Sequence, residues 1–157
     1  MPNQYVTQEI KVSHKAKLNM ADLYSVLKKW FEKHDYSVNE KEYSDSGGGN
    51  FKVKWATSKE IDDYHKYNID VTIKGKDCKV VEEKGDKLVE GKVEVTFEAY
   101  VEFDYDEKWG SPIRRFFRDS YDKWIMGDKT DEIKQGLVDE TYDVVNKTRA
   151  FLRQHHF

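Results

Sequence analysis

A single cysteine, Cys78, two prolines and the lack of any apolar run near the roughly 18 residues of a membrane span bound this 157-residue chain first. One cysteine closes no internal disulfide and, without a His and Asn or Asp constellation, is poor evidence for a nucleophile. That favours a reducing, intracellular setting or a place inside an assembled particle. The N-terminal stretch MPNQYVTQEIKVSHK has no apolar block, so no secretory signal is recognisable. Charge of one sign is lacking too: 27 Lys and Arg are interspersed with 30 Asp and Glu, for a net charge of -3. Such a mixture gives no strong nucleic-acid signal and no pull towards an acidic membrane. Paired cysteines, HExxH and GxSxG are all missing, and Gly47-Gly48-Gly49 lacks the Lys and helix of a phosphate cradle. No cofactor, no metal and no catalytic residue are expected, and the chain does not read as an enzyme.

What is present is rhythm. Hydrophobic residues make up 38% of the chain and charged ones 36%, yet aromatics reach 14%, so the core must be rich in rings. Val6, Ile10, Val12, Ala16 and Leu18 occupy even positions among polar odd ones, the period of a strand with one buried face. Asn19 is then placed to cap a helix whose Leu23, Val26, Leu27, Trp30 and Phe31 recur at helical spacing. Tyr36 to Tyr43 reads as a weak strand, and Ser44 to Asn50, with three glycines, as a mobile hairpin loop. Two one-sided strands follow, carrying Phe51, Val53 and Trp55, then Tyr67, Ile69, Val71 and Ile73. Cys78 to Val89 holds the turn signal Lys84-Gly85-Asp86-Lys87 and reads as a hairpin extension.

The clearest strand is Val93 to Tyr105, where Val93, Val95, Phe97, Ala99, Val101, Phe103 and Tyr105 take every odd position. Ser111-Pro112 opens a second helix with the stripe Ile113, Phe116, Phe117, Tyr121, Trp124 and Ile125. A last helix carries Ile133, Leu137, Thr141, Val144, Val145, Thr148, Phe151 and Leu152. With no internal linker, the economical fold is one α+β domain over residues 1–157. It has a mainly antiparallel, curved sheet of about five to six strands, three helices on one face and a long C-terminal helix.

This element order resembles that of START-like domains, in which a long C-terminal helix closes a curved sheet over a cavity. The resemblance implies an apolar ligand between sheet and C-terminal helix, with Trp30, Trp55, His65, Phe97 and Phe117 as lining. The segments KLNMADLYSVLKKWFEKHDYSVNEKEY and SPIRRFFRDSYDKWI also resemble short uncharacterised proteins of archaea and tailed phages, which implies an accessory or virion-associated component.

Three constellations carry what chemistry there is. His14 and His65 both fall in the core-facing register of their strands and together would suit a ligand or metal, although a buried histidine with a local partner explains each. Asp62, Asp63, Asp104, Asp106 and Glu107 supply hard oxygen ligands, although solvated loop charge explains them. All five arginines, Arg114, Arg115, Arg118, Arg149 and Arg153, lie in the last two helices. Arginine suits interfaces, and two of the five stand where the helix dipole is positive, although i, i+4 pairing with Asp119 and Asp122 would explain some of them. The leading expectation is therefore a non-enzymatic structural or interaction protein, docking a protein partner or its own copies through these arginines. A START-like carrier is the alternative.

Overall fold

The computed structural model describes residues 3–5, 7–103 and 127–156, and the structural statements below concern those residues. The elements are β1 (Asn3–Tyr5), β2 (Ile10–Leu18), α1 (Met20–Lys33), β3 (Ser37–Gly47), β4 (Asn50–Glu60), β5 (His65–Glu83), β6 (Asp86–Phe103) and α2 (Gly127–Gln154). Every strand pair is antiparallel. β1 and β2 follow one another along the same edge of β6, so the sheet runs β1/β2, β6, β5, β4, β3 and is five strands wide.

The chain leaves the sheet at one edge, β2, and re-enters at the other, β3. α1 makes that crossing. Its 14 residues reach about 21 Å at 1.5 Å each, enough for four gaps of about 4.8 Å between strands. Asn19 caps it as its sequence position foretells, its side chain accepting from the Ala21 N–H at 2.9 Å. Leu23, Leu27, Trp30 and Phe31 are the buried stripe.

The register of β6 is the one that buries its odd residues: Val93, Val95, Phe97, Ala99 and Val101 are wholly buried. They form one core with Ile69, Val71 and Ile73 of β5, the α1 stripe, and Ile133, Leu137, Val144, Val145 and Leu152 of α2. α2 lies along this face. Near its start Tyr67 Oη donates to the Ile133 carbonyl. At its end the Lys17 N–H donates to the His155 carbonyl at 2.9 Å. Between them Glu140 accepts from Tyr36 Oη at 2.6 Å and Lys59 Nζ at 2.7 Å, and Asp143 accepts from Trp30 Nε1 at 2.7 Å. No described helix is long and apolar enough to cross a membrane.

Some expectations need correction. The first strand, expected from Val6 to Leu18, begins at Ile10, and a separate short strand, β1, precedes it. Ser44 to Asn50 is no loose loop: Ser44, Asp45 and Gly47 pair with Lys52, Phe51 and Asn50, leaving only Gly48-Gly49 as the turn. A register shift between Glu40 and Glu42 hides this strand from periodicity. It moves the inward positions from Val38 and Glu40 to Tyr43 and Asp45, and nearly every side chain of β3 is exposed. Of the three helices expected, two are described. The stripe Ile113 to Ile125, with Tyr105, Phe117, Arg114, Arg115, Arg118 and the acids Asp104, Asp106 and Glu107, lies outside the described residues.

Candidate functional site

Among the described residues, the inner face of the sheet extends beyond the two helices packed on it. Beyond the start of α1 it continues onto the β3–β4 hairpin tip and the outer part of the β5–β6 hairpin. There it forms an open groove of about 580 Å³, lined by Met20, Tyr24, Tyr43, Phe51, Val80 and Val89, with Asp45, Cys78 and Lys79 at its margin. These residues meet because register puts them on one side: Leu18 pairs with Val89, Val89 with Val80, and Tyr43 with Val53. Tyr43 and Val80 are each 69% exposed, which is unusual for large apolar side chains on the face that elsewhere makes the core.

Backbone geometry holds the groove in shape. β5 bulges at Asp77 and Cys78, where Asp77 takes φ 52°, and the register slips between Lys76 and Lys79. The freed Cys78 N–H donates to the Gly49 carbonyl at 2.9 Å, and the Asp77 N–H to Asn50 Oδ1 at 3.2 Å. The hairpin tip is thereby tied to the next strand. Glycine is required at the contact, since a Cβ on Gly49 would stand 2.0 Å from the Cys78 carbonyl oxygen. The Phe51 ring lies over Gly75, where a Cβ would come within 2.1 Å of it, and that ring forms part of the groove wall. Burial pushes the Cys78 thiol up, away from the thiolate form that a nucleophile needs.

A smaller groove of about 300 Å³ adjoins this one through Tyr24 and Tyr43, and adds Glu40, Lys41, Glu42, Val53 and Trp55. Burial, followed by Tyr43 and Glu40, pushes the Tyr24 hydroxyl up to about 12, so it remains a neutral donor. Trp55 is 3% exposed. Among the described residues its Nε1 is a buried side-chain donor with no acceptor, a state that costs about 1–3 kcal/mol.

The residues singled out by sequence are dispersed. His14 pairs with Val93 and His65 with Phe103, ten residues and roughly 34 Å apart along β6. They share a face and cannot share a site. His65 is wholly buried, its Nδ1 3.0 Å from both Asp62 oxygens and its Nε2 3.2 Å from Thr130 Oγ1. This Asp–His–Thr chain has the order of a nucleophilic triad; its imidazole has no exposed surface, and Thr130, which would stand in the nucleophile's place, is half-buried. For Asp62, burial acts to raise its pKa, and the Tyr64 and His65 N–H groups with the His65 ring overcome it and hold the carboxyl below its usual range. His14 is half-buried beside His156, ring centres 5.8 Å apart, and its pKa is lowered by burial and then by His156, Arg153 and Arg149. Among the described residues no three His, Cys, Asp or Glu are placed to hold a metal.

Of the lining proposed by resemblance, Trp30 and Phe97 sit inside the continuous core, and only Trp55 also borders one of these grooves. Apart from Trp55, the groove residues carry no signal of a site in the sequence. Tyr24 stands one position off the α1 stripe, Tyr43 lies beyond the bulge, and Val80 and Val89 belong to a hairpin whose pairing the pattern leaves open. The exposed pair Val80 and Tyr43 could have been suspected only once the strands were in register. Comparison of the chain with family models, curated proteins and solved structures returns no significant match.

Proposed function

We propose that the protein is a non-enzymatic binder of apolar small molecules, held in the groove between the start of α1 and the two hairpin tips. One observation carries this: an apolar-lined concavity of about 580 Å³, within the size range of small-molecule sites, on an inner sheet face that α1 and α2 leave uncovered. It agrees in kind with the START-like order of elements. The ligand would sit at the end of the sheet, away from the expected position beneath the C-terminal helix.

The test is a neutral fluorescent probe, N-phenyl-1-naphthylamine, titrated into the full chain. Saturable enhancement is expected, weakened about tenfold or more by Val80→Glu, which places a charge on the groove wall. Val80 is 69% exposed, so the variant should stay folded. Equal binding by both proteins would remove the groove as the site.

Docking of an acidic protein partner has its own support, because Arg149 and Arg153 both act on His14, whose ring lies beside that of His156, and so place two cations together at the end of α2. Arg149→Gln with Arg153→Gln should weaken capture of such a partner and leave probe binding unchanged. This patch is also where assembly into a larger particle would be sought.

A further inference from the structure

An apolar slot selects for little besides size. Trp55, which borders the smaller groove beside it, carries what would confer selectivity, a hydrogen-bond donor that the protein does not use. Trp55 on β4 lies in register with Glu40 on β3 and Val71 on β5. Its counterpart Trp30 is equally buried, yet there Nε1 donates to Asp143 at 2.7 Å. Trp55 Nε1 has no such acceptor. Buried donors are almost always paired in folded proteins, so one that is not pays off only when something else supplies the acceptor.

The charges around Trp55 restrict what that acceptor can be. Glu40 and Glu42 border the smaller groove with a single cation, Lys41, between them. Glu42 is 3.8 Å from Lys54 Nζ, whereas Glu40 acts on the Tyr24 hydroxyl and raises its pKa. Because Glu40 stands directly opposite Trp55 on the same face, a carboxylate or phosphate accepting from Trp55 would be brought up against that acid. A cation would have no use for an N–H donor. What remains is a neutral acceptor such as a ketone, ester or amide oxygen.

We infer that the smaller groove, which opens into the larger one, binds a neutral, mainly aromatic molecule bearing one carbonyl-type oxygen. The oxygen accepts from Trp55 Nε1, and the apolar body lies against Val53 and Tyr43, towards the larger groove. Tyr24, whose ring centre is 5.9 Å from that of Trp55, turns aside as the ligand enters. The inference rests on the ligand-binding function proposed above and adds to it the ligand's class.

Benzophenone and diphenylmethane make a matched pair of probes, alike in shape and differing in one carbonyl. Each would be used to displace N-phenyl-1-naphthylamine from the full chain and from Trp55→Phe, which keeps an aromatic ring and removes the donor. Benzophenone should lose about tenfold in affinity on that substitution, the order expected for one buried hydrogen bond, and diphenylmethane should be nearly unaffected. Should Trp55→Phe fail to fold, the wild-type protein decides the matter: the Trp55 indole N–H resonance should move with benzophenone and far less with diphenylmethane. Equal losses for both probes, or an indole resonance indifferent to the carbonyl, would overturn the donor role while leaving the groove a binding site. Failure of the naphthylamine and both probes to bind would overturn the binding function, and the ligand class with it.

Discussion

The inner face of the sheet has two ends built from the same strands, and they end up in opposite states. Under α1 and α2 the inward side chains of β5 and β6, among them Ile69, Val71, Val95 and Phe97, are sealed. Beyond the start of α1, Tyr43 and Val80 hold equivalent inward positions and are mostly exposed. Alternation of apolar and polar residues therefore sets which way a side chain faces, and the reach of the helices sets whether that face becomes core or groove. The covered end is also tied by polar bonds, with Glu140 and Asp143 of α2 accepting from Tyr36, Lys59 and Trp30. Trp55, in one row with Val71 and Phe97 but bordering the smaller groove, keeps its donor unspent.

The largest expected effect puts a charge at inward positions of both ends. Phe97→Asp should unfold the domain, since it places an unpaired carboxylate where no water reaches, a loss of more than about 4 kcal/mol. Val80→Asp should change stability by no more than about 0.5 kcal/mol, as for a surface site. Glu98→Lys, on the outward side of β6, should be tolerated as well. Thermal unfolding of the three variants checks the contrast, and equal damage from Val80→Asp would mean that the open end is core after all.

A second effect concerns how firmly the open end is held. Gly49 takes φ 83° and Gly85 takes φ 82°, but a Cβ on Gly85 would meet nothing within 4 Å, whereas one on Gly49 would strike the Cys78 carbonyl. Gly85→Ala should cost about 1 kcal/mol from backbone strain alone. Gly49→Ala should cost at least about 1 kcal/mol more, because the hairpin tip must lift away from the β5 bulge. If the two cost the same in chemical denaturation, the tip is not fastened as the Cys78 N–H to Gly49 bond implies.

How much of this was legible in the sequence follows from the same contrast. Val93 to Phe103, the α1 stripe after Asn19 and the α2 stripe from Ile133 to Leu152 each repeat without interruption, and each lies at the covered end, where one face is dry and the other wet. β3 was legible only as a weak strand. A strand exposed on both sides has no reason to alternate, and its register shift beside Lys41 reverses the parity halfway. The groove was not legible at all, because its members come from α1, β3, β4, β5 and β6 and are brought together by pairing. His14 and His65 show the complementary error: periodicity reports the face of a residue and nothing about its distance along the strand. Of the arginines, only Arg149 and Arg153 fall among the described residues.

The two tryptophans sharpen the comparison further. Trp30→Phe and Trp55→Phe remove the same atoms from equally buried rings, so much of the cavity cost should cancel between them. Trp30→Phe also forfeits a bond to the Asp143 carboxylate. It should therefore be about 1 kcal/mol more destabilising than Trp55→Phe in the ligand-free protein. If Trp55→Phe proves as costly, its N–H already has a partner in the free protein.

The smallest effect lies on the outer face, where the sheet places two acids opposite each other. Asp70 pairs in register with Glu98, an arrangement that cross-strand like charges make unfavourable. Burial first, and then Glu98, raise the Asp70 pKa above its ordinary 3.8, with Lys54 opposing them. A carboxyl whose pKa is higher folded than unfolded contributes full stability below its unfolded pKa and loses that contribution as pH rises through the folded value. Asp70→Asn removes the charge and hence the loss. At pH 3 the variant should match the wild type to within experimental error, and at pH 7 it should be the more stable of the two by about 0.5 kcal/mol. Glu98→Gln should give much of the same gain at pH 7 by relieving Asp70 from across the ladder. Unfolding curves for both variants at the two pH values decide the point, because a gain independent of pH would reflect packing or strand propensity, and only a gain that appears on ionisation belongs to the acid pair.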